Sequence, residues 1–185
     1  MRILTLASAA LILAGSASGC ALLQRAIPST MSDQNVVSLF DTIDANEIEG
    51  AHLARRQASS QVVRDYAERL ASEHAALLTR KQVLADRLHM QPKKSSLASS
   101  IEAANRDRLK ALAKTSGPDF DRAYIDYQIA MHHRTLDIVE DTAIDDAQLK
   151  DDLRDARLDL IAHAAKARSI REQLRAASAR PSSER

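Results

Sequence analysis

Four stretches of this chain repeat apolar residues at three- and four-residue intervals, which restricts them to long amphipathic α-helices. The first begins near Asp33, the expected N-cap, and carries Val36, Phe40, Ile43, Ala51, Ala54 and Ala58. Ser59-Ser60 reads as a turn. The second runs from Gln61 to His89 with Val63, Ala67, Leu70, Leu77, Leu84 and Leu88, and Pro92 is expected to end it. Gly117-Pro118 opens the third, which carries Phe120, Tyr124, Ile125, Ile129, Leu136 and Val139. Asp145-Asp146 is the next break, with Asp145 and Gln148 as an expected capping box. The fourth carries Leu149, Leu153, Ala156, Leu160, Ala167, Ile170 and Leu174. Between Pro92 and Pro118 a connection has its own helix, capped by Ser95 or Ser96, with Leu97, Ile101, Ala104, Leu109 and Leu112 as its apolar side. That connection is too long to join neighbours. The expected fold is all-α: a ferritin-like four-helix bundle with a crossover connection carrying a short extra helix.

Composition excludes the main rivals. Four Gly, four Pro and 3% aromatics leave too few turns and strand formers for a β-sandwich or barrel. Lys and Arg number 26 against 25 Asp and Glu, a net charge of +1, so there is no overall basic field and nucleic acid is not an expected partner. A lone cysteine allows no intramolecular disulfide. Met1-Arg2, the uncharged run Ile3 to Ala14 and the small residues that follow read as a secretory signal over 1–19. Ala17-Ser18-Gly19-Cys20 resembles a bacterial lipobox, with Ala17 where Leu is usual, which makes Cys20 the expected lipidation site. The expected layout is then a lipid-anchored tether over 20–32, the bundle over 33–176 and a disordered tail over 177–185. The expected place is the periplasmic side of the envelope, on the outer membrane, with the membrane as partner through the lipid on Cys20.

Each apolar stripe is interrupted by one ionisable residue at an inward position: Glu47, His74, His132 and His163 in turn. Such groups are costly to bury unless paired or coordinated. Glu47 lies about 13 residues before the Ser59-Ser60 turn and His74 about 14 after it, so both sit ~20 Å from that turn. His132 and His163 lie at similar depths around Asp145-Asp146, to within ~5 Å. One carboxylate and three imidazoles are therefore expected in one layer of the core.

Asn46-Glu47-Ile48-Glu49, Leu53-Ala54, Val63-Arg64-Asp65-Tyr66-Ala67 and Glu73-His74 resemble the bacterial DUF4142 family. Phe120-Asp121-Arg122-Ala123-Tyr124-Ile125, Gln128-Ile129, His132 and Leu160-Ile161-Ala162-His163 resemble its second half. The resemblance spans Asp33 to Leu174 and implies an exported, ferritin-like protein; it implies no particular activity. Glu47, His74, His132 and His163 fall on the family pattern. Glu73 departs from it, standing where the family commonly shows Asp.

Three imidazoles and one carboxylate suit a divalent metal such as Zn or Fe, held by four rigid helices for sensing, storage or buffering. Glu49, Asp159 and Tyr127 are expected around the ligands. The alternative is a structural or interaction module, tethered to the membrane, whose Glu–His layer is metal-free and only fixes helix register. Di-iron chemistry needs more carboxylates, since the one Glu-x-x-His spacing is Glu49 to His52. No nucleophile or acid–base pair is visible outside the layer, so an enzyme is not the expected reading. His52, His89 and His133 fall off the stripes and are expected to face solvent.

Overall fold

The computed structural model describes residues 31–179. The signal segment, Cys20 and most of the tether lie outside these residues, as do residues 180–185. Among the described residues there are five helices and no strand: α1 (Asp33–Gln57), α2 (Gln61–Arg87), α3 (Ser96–Leu112), α4 (Gly117–Asp141) and α5 (Ala147–Ala179). None of them is long and apolar enough to cross a membrane. Residues 177–179, expected in the tail, continue α5.

Hydrogen bonds at the helix ends fix the topology. Ser32, not Asp33, caps α1, its Oγ accepting from the Asn35 N–H at 3.3 Å. Asp33 is already inside the first turn, and its carboxylate instead accepts the Asp145 and Asp146 N–H groups at 3.1 and 2.7 Å. The start of α1 therefore meets the α4–α5 turn. Asp146, not Asp145, caps α5, accepting from the Gln148 and Leu149 N–H groups. With the helix beginning at Ala147, only the residue immediately before it can reach those amides. At the opposite end, Asp121, the fifth residue of α4, accepts the Ser59 and Ser60 N–H groups at 2.9 and 2.8 Å, covering free donors in the α1–α2 turn. α4 is thus antiparallel to α1 and parallel to α2.

The chain must then travel the length of the bundle between α2 and α4, and α3 makes that passage. It begins beside the start of α1, where Lys93 N–H donates to the Gln34 carbonyl and Asn35 Nδ2 to the Lys93 carbonyl. It finishes beside the end of α1, where the Gln57 amide donates to the Ala113 and Thr115 carbonyls. The crossover is present, but its helix is not short: 17 residues span ~25 Å. Ser95 caps it, accepting from the Ala98 N–H at 3.1 Å. α3 lies chiefly on α1, so its inward side contains Asn105, and Ala104 is exposed instead.

α2 stops at Arg87, well before Pro92. His89 takes a left-handed conformation, φ 53°, and the Met90 and His89 N–H groups close back on the Ala85 and Asp86 carbonyls. This is a Schellman-type stop built on a histidine where glycine is usual.

The apolar core falls into two clusters. One, at the α1–α2 turn, is built on Ala51, Ala54, Val63, Ala67, Leu70, Phe120, Tyr124 and Ile170. The other, at the α4–α5 turn, is built on Val36, Leu39, Phe40, Leu84, Ile138, Leu149 and Leu153. Buried polar residues occupy the level between them: Asp44, Glu47, His74, Lys81, Gln128, His132 and His163.

Candidate metal centre

His74, His132 and His163 project from α2, α4 and α5 into this middle level because each interrupts the buried stripe of its helix. Their side chains meet. Ring centroids are 5.8 Å apart for His74–His132 and 5.2 Å for each of the other two pairs. One ring nitrogen from each lies within 4.8 Å of the others. Exposures of 0%, 1% and 5% place all three out of water.

Each ring is held through one of its nitrogens. His74 Nδ1 donates to Asp44 Oδ1 at 2.9 Å, His132 Nδ1 to the Gln128 carbonyl at 2.8 Å, and His163 Nε2 to Glu73 Oε2 at 2.5 Å. In the neutral rings these bonds select the tautomers whose lone pairs lie on His74 Nε2, His132 Nε2 and His163 Nδ1. None of those three atoms has a hydrogen-bond partner among the described residues. Orphaned buried nitrogens are expensive. Rings oriented from behind by carboxylates and a carbonyl are what a metal-ligating histidine requires.

The electrostatics sort the rings. Burial, reinforced by the charges of His74 and His163, pushes His132 down to about 3, so it is neutral at physiological pH. Burial likewise lowers His163, with the positive field of His74 adding to it and Glu73 opposing it. For His74, burial is outweighed by the Asp44 hydrogen bond and the nearby Glu47, and it rises above the ordinary value. Asp44 also accepts from Lys81 Nζ at 2.6 Å, and its partners hold it below the usual carboxylate range despite burial. Lys81 itself is 3% exposed.

Glu47, expected as the fourth ligand, is buried at 2% exposure, and its Oε2 also lacks a hydrogen-bond partner among the described residues. It is close enough to raise His74, yet it is not in the group within 4.8 Å. Burial raises its own carboxyl, so it resists ionisation without a cation. Of the residues expected around the ligands, none hydrogen-bonds to a histidine ring among the described residues. Glu49 is exposed and takes a 3.5 Å hydrogen bond from Asn105, because it sits on the α3 side of α1. Tyr127 donates to Asn105 Oδ1 at 2.5 Å and faces α3 for the same reason. Asp159 is exposed, one turn before His163, and reaches it only through its charge. The supporting roles fall to Asp44, Glu73 and the Gln128 carbonyl. Lys81 follows His74 by seven, on the same stripe; that spacing is the signal that could have singled it out.

A Zn–N bond is ~2.0–2.1 Å, so tetrahedral donors stand ~3.4 Å apart. Nitrogens up to 4.8 Å apart must draw together by up to about 1.4 Å to close on an ion. Their chemistry, neutral nitrogen donors in a dry site, fits Zn, Cu, Fe or Ni better than Mg or Ca.

His52, His89 and His133 are exposed; His133 Nε2 pairs with Arg168 Nη1 at 2.8 Å. Tyr66 donates to the His163 carbonyl at 3.2 Å, steadying the backbone behind that ligand. No curated protein and no solved structure matches the chain. The family described as "Domain of unknown function (DUF4142)" matches it over residues 21–170, most of its length, and the chain belongs to that family.

Proposed function

We propose that this protein is an exported lipoprotein of the cell envelope, anchored through Cys20, whose bundle binds one divalent transition-metal ion through His74, His132 and His163. Glu47 stands nearby as a reserve carboxylate that a bound cation would draw into ionisation. The role is sensing, storage or buffering of the metal, not turnover. One observation carries this reading: three buried histidines each bring a ring nitrogen within 4.8 Å of the others, and each ring has one nitrogen on an acceptor and one without a hydrogen-bond partner among the described residues. A structural layer would be expected to pair those nitrogens with one another or with Glu47. The signal-like leader and the lipobox-like run before Cys20 support export and anchoring.

The metal-free reading keeps one observation of its own. Asp44, Lys81 and His74 already form a buried, hydrogen-bonded ion network that could fix helix register unaided. Metal content after loading with Zn and removal of excess ion separates the two. The metal reading expects about one ion per wild-type chain and loss of that ion in the H74A/H132A/H163A variant. Equal content in both, or none in either, would favour the structural layer.

A further inference from the structure

A second feature lies on the opposite side of α4 from the histidines. α3 rests on α1 and touches α4 mainly through the Asn105–Tyr127 hydrogen bond, so a cleft runs between α3 and α4. It encloses about 370 Å³. Its floor is Ile43, Ile101 and Ile138, buried isoleucines from three different helices. Its walls are small: Ala104 and Ala111 from α3 face Ala130 from α4. A wider space continues from it past Leu112 and Ala123, sharing Arg108, Ala111, Tyr127 and Ala130 with the first. The result is a long, narrow apolar trough of the size that small-molecule sites occupy.

The rim carries both signs, Arg108 and Arg134 with Asp107 and Asp126, and they differ in whether they are paired. Arg108 borders both parts of the trough, and among the described residues its guanidinium makes no ion pair or hydrogen bond. Arg134 lines the same space from α4. The two acids of the rim have basic partners outside it, Asp107 3.8 Å from Lys110 and Asp126 3.8 Å from Arg171, which leaves Arg108 as a rim charge without a counter-ion among the described residues. An apolar floor under a guanidinium suits a ligand with one flexible chain and one anionic head, because burial supplies affinity along the chain and Arg pairs with a carboxylate in two-point fashion.

We infer that the α3–α4 trough binds a free single-chain carboxylate of the fatty-acid type, its chain along Ile43, Ile101 and Ile138 and its head at Arg108. The inference is independent of the metal site, since it shares no residue with it. It also accounts for Ala104, which lies exposed on a stripe whose periodicity would bury it: the gap beside it is the ligand's place.

The test is titration of the purified full chain with laurate, dodecylamine and dodecanol below their micelle concentrations, read by calorimetry and by displacement of an environment-sensitive dye. Laurate is expected to bind with one-to-one stoichiometry and about tenfold more tightly than dodecylamine. A130W, which fills the trough from an exposed position, abolishes binding; A104W does the same from the facing wall should A130W fail to fold. R108E lowers laurate affinity about tenfold and brings dodecylamine level with it. No laurate binding by the wild type overturns the proposal, as does equal binding of laurate and dodecylamine, or binding that survives both tryptophan variants. So does a doubled mass by light scattering that A130W returns to a monomer, because the trough is then an interface between two copies of this chain.

Discussion

The two ends of the bundle and its middle are built on opposite terms. At the ends, the buried positions are mostly apolar and the two turns are stitched by carboxylates, the buried Asp121 at one and Asp33 at the other, accepting backbone amides of a neighbouring hairpin. There the buried Asp121 carboxylate is paired, and the Tyr124 hydroxyl is a buried polar atom without a hydrogen-bond partner among the described residues. In the middle, the buried positions are Asp, Glu, Lys, Gln and His, and several polar atoms face no partner. Apolar burial stabilises in proportion to area, whereas an unsatisfied buried group costs about 1–3 kcal/mol. The difference teaches that the ends hold the fold and the middle is held by them, a level of costly polar burial retained for something other than stability.

Variants at the two levels should separate these roles. The largest effect is expected at an end. Phe120, fully buried and stacked 6.1 Å from Tyr124, should cost about 3–5 kcal/mol on truncation to Ala by urea unfolding, with metal content unchanged. Loss of metal together with stability would blur the comparison. Next comes K81M in the middle, which leaves Asp44 with only His74 as partner. About 3 kcal/mol should be lost, and D44N in the same chain should restore most of it. An additive double variant would show that Lys81 and Asp44 are not coupled.

The smallest and most diagnostic effect concerns pH. His132 is held at about 3 in the folded chain, below its unfolded value of ~6.5, so the unfolded state alone gains that proton as pH falls between them. Stability of the metal-free protein should therefore drop through that window. His163, also lowered, adds to the loss. His74, raised, works the other way: its contribution is complete below ~6.5 and disappears as pH climbs through its folded value. H132L should remove much of the acid loss and raise stability at neutral pH by about 1–2 kcal/mol, because it replaces an orphaned nitrogen with apolar volume. Melting temperature against pH for both proteins checks this. A wild-type curve flat from pH 7 to 4 would mean that His132 is not held neutral.

The helices, the turn at Ser59-Ser60 and the three histidines were legible because a polar residue on an apolar stripe is visible in one helix at a time. What was not legible depends on two helices at once. Glu73 precedes His74 and points off its own stripe; it matters because His163 of α5 lies opposite. Asp44 is offset from Ile43 by one position and reads as solvated surface until His74 and Lys81 are brought to it. Lys81 does fall on the stripe of Leu77 and Leu84, but only Asp44 of α1, brought opposite it, shows that its head is matched there. Asn105 takes the inward place beside Ala104 because α3 packs on α1 and leaves α4, a choice of neighbour that periodicity does not encode.

The claim on which the account rests is that the three inward histidines are metal ligands. X-ray absorption at the metal edge of the zinc-loaded protein measures it directly. The account predicts a nitrogen-rich shell at ~2.0–2.1 Å with the outer-shell scattering of three imidazoles, reduced to two in H163A. An oxygen-only shell, or a spectrum unchanged by H74A, H132A and H163A alike, would contradict it.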